Sequence, residues 1–108
     1  MAKIELTFDD KNYTLEFTRR TVRDLENSGF NIYEASSKPV SSTETLFRGA
    51  FLAHHKNMKV EEADRIWAGI EDKAGLFEVL TDMYIAAVEA TMEEPKESTK
   101  KALWEKKD

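Results

Sequence analysis

The chain has 108 residues, 41% of them hydrophobic, a formal net charge of −5 and no cysteine. That length suits one domain with a modest core and not two. Disulfides, thiolate nucleophiles and cysteine zinc sites are ruled out, no apolar run approaches the roughly 20 residues of a membrane helix, and the acidic balance argues against a module that must displace counterions from nucleic-acid phosphates.

The first elements are the sharpest. Ile4, Leu6 and Phe8 alternate along one strand face, and Tyr13, Leu15 and Phe17 along another. Asp9-Asp10-Lys11-Asn12 between them has turn chemistry, which predicts an antiparallel hairpin with one apolar side. Thr18 reads as a helix N-cap, with Phe17 and Val22 spaced as a hydrophobic staple. Ser28-Gly29 ends that helix, and Phe30 is placed to fold back on Leu25 in a Schellman closure.

Asn31 and Glu34 stand at capping-box spacing for a further turn, after which Ser36 to Ser42 reads as loop. A second helix is expected from about Ser41, capped with Glu44, to near Lys56, its apolar stripe running through Leu46, Phe47, Ala50, Phe51 and His54. A third is expected over Val60 to Lys73, with Val60, Ala63, Ile66, Trp67 and Ile70 on one face. The fourth, Leu76 to Met92, is apolar over more than one stripe, which suggests that it is central or covered by another chain. From Glu93 the composition turns to balanced charge around Pro95, giving a domain over 1–92 and a charged, disordered tail over 93–108 in which only Leu103 and Trp104 are large and apolar.

Chemistry is hard to find in this pattern. His54 and His55 are adjacent, so on a helix they point about 100° apart and cannot close on one metal; they read as structural. Asp9-Asp10, Glu61-Glu62-Asp64 and Glu71-Asp72 lack the alternating ligands and central glycine of a calcium loop. Gly29, Gly49, Gly69 and Gly75 form no phosphate-binding loop, dinucleotide fingerprint or nucleophile elbow. No catalytic, cofactor-binding or metal-binding residue is assigned, and a carboxylate-based hydrolase or metal-dependent enzyme is the reading from another class. Gly49 and Gly69 suggest close packing, within the chain or against a partner. Arg19, Arg20 and Arg23 crowd a helix N-terminus, where the macrodipole disfavours them, so carboxylate partners are expected in this chain or another. Phe77, Tyr84 and Val88 on the fourth helix either complete a small bundle or contact another chain. Leu103 and Trp104 either anchor an interface or stand idle at a frayed end. These five are the candidate partner-binding residues.

Tyr13-Thr14-Leu15-Glu16-Phe17-Thr18-Arg19-Arg20-Thr21-Val22, then Ser28-Gly29-Phe30 and Leu46-Phe47-Arg48-Gly49-Ala50-Phe51, resemble small tail assembly chaperones of long-tailed phages and prophages of Gram-positive bacteria, over about Ile4 to Val88. The resemblance implies a non-enzymatic protein that binds the apolar helical tape-measure protein, keeps it soluble and helps tail-tube subunits assemble around it, without a cofactor. In that family a longer product often arises by ribosomal frameshifting, and Lys100-Lys101 and Lys106-Lys107 are compatible with slippery codons. Homo-oligomers are a further possibility; nucleic acid and membrane are not expected partners. A structural tail or head-tail connector subunit retained in the virion is the alternative. Met1-Ala2-Lys3 leads into a strand without an apolar leader, so cytoplasmic residence is expected. The expected fold is α+β: an N-terminal antiparallel hairpin packed on about four helices, with a flexible C-terminal tail.

Overall fold

The structure is a computed structural model, and it describes residues 2–107. The element order is β1 (Ile4–Phe8), β2 (Lys11–Leu15), α1 (Arg19–Asn27), a 3-10 turn (Ile32–Glu34), α2 (Pro39–Phe51), α3 (Val60–Ala68) and α4 (Lys73–Ala90). This is the expected α+β arrangement of one antiparallel hairpin and four helices.

β1 and β2 pair with Ile4 opposite Leu15, Leu6 opposite Tyr13 and Phe8 opposite Lys11. The turn is shorter than expected, because Lys11 and Asn12 belong to β2. Asp9 and Asp10 alone make it, at φ 51° and 62°. Two positive φ values are what a type I′ turn demands, and aspartate tolerates them because its short polar side chain can bond locally. The apolar face carries Leu6, Tyr13 and Leu15 into the core. Phe17 also goes inward, but from beyond the strand, where the Glu16 amide donates to the Ala50 carbonyl at 2.9 Å and fastens the hairpin exit to α2.

α1 starts and stops as its sequence predicts. The Thr18 side chain accepts from the Thr21 amide at 3.2 Å, and the Thr21 hydroxyl accepts from the Thr18 amide at 2.8 Å, a reciprocal cap in which threonine replaces the usual glutamate. At the other end Gly29 has φ 102°, its amide donates to Glu26 and the Phe30 amide donates to Leu25. Both Schellman bonds are therefore present.

α2, α3 and α4 differ from expectation in their boundaries. α2 begins at Pro39, two residues before Ser41: proline's fixed φ suits the first helical position, and its missing N–H is one that no helix partner would satisfy. It ends at Phe51, and irregular turns carry the chain past His54. α3 stops at Ala68 instead of reaching Lys73, since Gly69 caps it. Lys73 opens α4, and its ammonium reaches back to the Ile70 carbonyl at 2.9 Å, so a cation sits where the α3 dipole favours one.

α2 is the central element, packing against β2, α1, α3 and α4, whereas α4 packs against α1 and α2. Of the two expectations for α4, central or covered by another chain, the central place goes to α2. The reason lies in size: Gly49 and Ala50 let neighbours approach α2 closely, and Leu46, Phe47, Ala50 and Phe51 are all essentially inaccessible to solvent. A methyl group on Gly69 would sit 2.8 Å from Phe8 Cε1, so the tight contacts at Gly49 and Gly69 are with Leu25 and Phe8 of the same chain. One aromatic cluster joins Tyr13, Phe51, Phe47 and Trp67, with ring centroids 5.6, 5.0 and 4.9 Å apart in that order.

The adjacent histidines both brace the hairpin. His55 Nε2 accepts from the Thr14 amide at 3.0 Å, and His54 Nε2 lies 2.6 Å from Glu16 Oε1. Ion pairs among the described residues join Lys38 to Glu34 and Lys107 to Glu105. Among the described residues no carboxylate pairs with Arg19, Arg20 or Arg23; all three side chains are exposed, where hydration competes with pairing within the chain.

Beyond Ala90 there is neither helix nor strand, and residues 91–107 are exposed throughout. The Cα radius of gyration, 16.3 Å, exceeds the roughly 13 Å of a compact domain of this length, as a protruding tail requires.

Candidate partner-binding groove

The Schellman closure after α1 does more than end a helix. By turning the chain at Gly29 it folds Phe30 back onto α4, where its ring meets Tyr84 edge-on with centroids 5.3 Å apart. Phe17 meets Tyr84 from the hairpin side in the same geometry, also at 5.3 Å. Asn31 then caps the 3-10 turn, its side chain accepting from the Tyr33 amide at 2.9 Å. That cap leaves Ile32 half-buried and Tyr33 83% exposed.

Between this loop and the last turns of α4 lies a groove of about 390 Å³, lined by Phe30, Ile32, Tyr33, Tyr84, Ile85 and Val88, with Asn31 beside them and Glu26 and Glu89 at its rim. No basic side chain lines it. Tyr84 forms the floor. Its ring is buried, yet among the described residues its hydroxyl has no hydrogen-bond partner and is not sealed from solvent, so it opens toward the groove. Burial, and secondarily the nearby Glu26 charge, push the Tyr84 phenol up to about 12, which keeps it a neutral hydrogen-bond donor.

Two other depressions are less suited to an apolar partner. One of about 220 Å³ between the end of α1 and the start of α2 is lined mainly by polar groups, including Ser28, Asn31, Lys38 and Ser41. A flatter one of about 600 Å³ combines Ile4, Leu76 and Val79 with Glu71, Asp72, Glu78 and Asp82. Among the described residues no three acidic or histidine side chains converge as metal ligands, and no helix is long and apolar enough to cross a membrane.

The five candidate residues divide in three ways. Tyr84 and Val88 come together in the groove, although Tyr84 is 1% exposed and offers a partner little more than its hydroxyl edge. Phe77 lies on α4 two turns before Tyr84, half-buried against the core and outside the groove. Leu103 and Trp104 stand in the tail, 94% and 88% exposed. The apolar surplus of α4 resolves into a buried stripe of Leu80, Met83, Tyr84 and Ala87, with Leu76, Phe77 and Val88 half-buried beside it and Val79 left exposed. Sequence reasoning missed Ile32, Tyr33 and Ile85 as groove residues. The capping spacing of Asn31 and Glu34 marked the turn that presents the first two, but nothing local says that this turn packs beside α4.

Residues 1–107 match the model of a family described as a domain of unknown function, DUF5055. The chain belongs to the DUF5055 family. No curated protein and no solved structure matches it. In this DUF5055 chain the match covers the hairpin, the four helices and the tail that carries Leu103 and Trp104.

Proposed function

We propose that this protein is a non-enzymatic tail assembly chaperone of a long-tailed phage or prophage, acting in the host cytoplasm, and that it holds helical segments of the tape-measure protein in the groove between the 3-10 turn and α4. The observation that carries this reading is the groove itself, an apolar trough with an aromatic floor and the exposed ring of Tyr33 on its lip. Its chemistry suits helix-in-groove recognition, in which apolar residues repeating every three to four positions enter a hydrophobic cleft. The resemblance of Tyr13 to Val22 and of Leu46 to Phe51 to that chaperone family supplies the client. Each contact is small, so a long client is kept soluble by many copies acting through avidity.

The test is co-expression with a tape-measure fragment from the same genome, with an unrelated acidic helical protein as control. Selective recovery of soluble fragment in a defined complex supports the chaperone. Recovery no better than the control overturns it. Mass spectrometry of purified particles separates a chaperone, absent from the virion, from a structural subunit, present in it.

A further inference from the structure

We propose that the tail carries an internal occupant of the same groove: the segment Lys100–Lys107 folds back in its own chain and seats Leu103 and Trp104 between the 3-10 turn and α4. The charges match. Leu103 and Trp104 are bracketed by Lys100, Lys101, Lys106 and Lys107, which outnumber Glu105 and Asp108 by four to two even with Lys107 paired to Glu105, while the groove's charged groups are Glu26 and Glu89. Both apolar side chains lie open to solvent, and a tryptophan needs a desolvated pocket to contribute to binding.

The path is short and already turns. Val88 and Glu89 lie in the last turn of α4, so the groove begins where the tail emerges. Residues 91–102 span up to about 40 Å when extended, more than enough to return to it. Pro95 prevents the helix from continuing, and the Thr99 amide donates to the Lys96 carbonyl at 2.9 Å in a further reversal. A tether of this kind gives an effective concentration on the order of millimolar, so a weak contact within the chain outcompetes the same contact between dilute copies. The exposed tail is the open form, and the seated tail is a competitor that an incoming apolar helix must displace. The contact holds whatever the client is, so failure of tape-measure co-purification leaves it intact, and the reverse.

The chain contains no cysteine, so Ala102→Cys gives a single attachment point for a nitroxide on the full-length protein. The expected result is paramagnetic broadening of the amides of Glu26, Ile32, Tyr33, Ile85 and Glu89, with the β1 amides spared. Broadening should disappear in Leu103→Ser/Trp104→Ser, a pair of exposed positions whose replacement leaves the fold untouched. No broadening, or broadening that survives the double serine variant, overturns the proposal. So does broadening seen only between a labelled chain and a separate isotope-labelled one, which assigns the segment to a second copy.

Discussion

Gly49 and Leu25 meet so closely that a methyl group on Gly49 would lie 2.6 Å from Leu25 Cδ1 and 3.2 Å from its Cγ. This contact joins α1 to α2 at Leu25, whose carbonyl also accepts the Phe30 amide in the Schellman turn. Gly49→Ala gains about 1 kcal/mol of helix propensity, but it overpacks a buried leucine at a typical cost of about 1–3 kcal/mol. The expected net is a loss of about 1 kcal/mol. In Leu25→Ala the clash has gone, so adding Gly49→Ala there should be neutral or stabilising. Chemical denaturation of the four chains of that cycle measures the coupling.

Gly29 tests the same region through the backbone. No atom lies within 4 Å of where its Cβ would be, so space is available, but φ is 102°. Gly29→Ala should cost about 1–2 kcal/mol from conformation alone and should displace Phe30 from Tyr84. Stability comes from denaturation, and the displacement from loss of ring-current shifts at Tyr84 in NMR spectra.

His55 accepts from the Thr14 amide and packs edge-on against Tyr13 and Phe51, at centroid distances of 5.3 and 6.2 Å. His55→Phe keeps a ring there and removes the acceptor, leaving a half-buried amide unpaired. The expected loss is about 1–2 kcal/mol, with the fastest gain in hydrogen exchange at Thr14. His54→Gln, at the more exposed Glu16 pair, should cost under about 1 kcal/mol.

Tyr84 sets a pH limit. Its phenol is raised from about 10 to about 12, first by burial and then by Glu26, so the fold favours the neutral form. That stability is fully present below pH 10 and is lost as pH rises toward 12. Tyr84→Phe should remove this portion of the alkaline loss. The readout is the difference between the two proteins' unfolding free energies from pH 9 to 12; burial and the Glu62 bond also raise Tyr13, but equally in both.

Local patterns told most about local structure. The alternation of Ile4 to Leu15, the Thr18 cap and the Ser28-Gly29-Phe30 closure each depend on residues a few positions apart, and each forms. Pro39 was a usable start signal masked by the serines around it, and Gly69 a usable stop masked by apolar residues continuing to Ile70. The bonds from Thr14 to His55 and from Glu16 to His54 span a sequence distance that no periodicity reports. The groove is harder still, because it exists only through the packing of the 3-10 turn beside α4, and Tyr33 looks like any loop tyrosine until that packing is seen.

The most direct test of the groove as a client site is the affinity of a tape-measure helical fragment for the wild-type protein and for Tyr33→Glu, measured by calorimetry. Tyr33 is 83% exposed, so its replacement leaves the core unchanged, while the new carboxylate joins Glu26 and Glu89 at the groove lip. The account predicts at least about a tenfold weakening, which corresponds to 1.4 kcal/mol. Equal affinity in two equally folded proteins would contradict it.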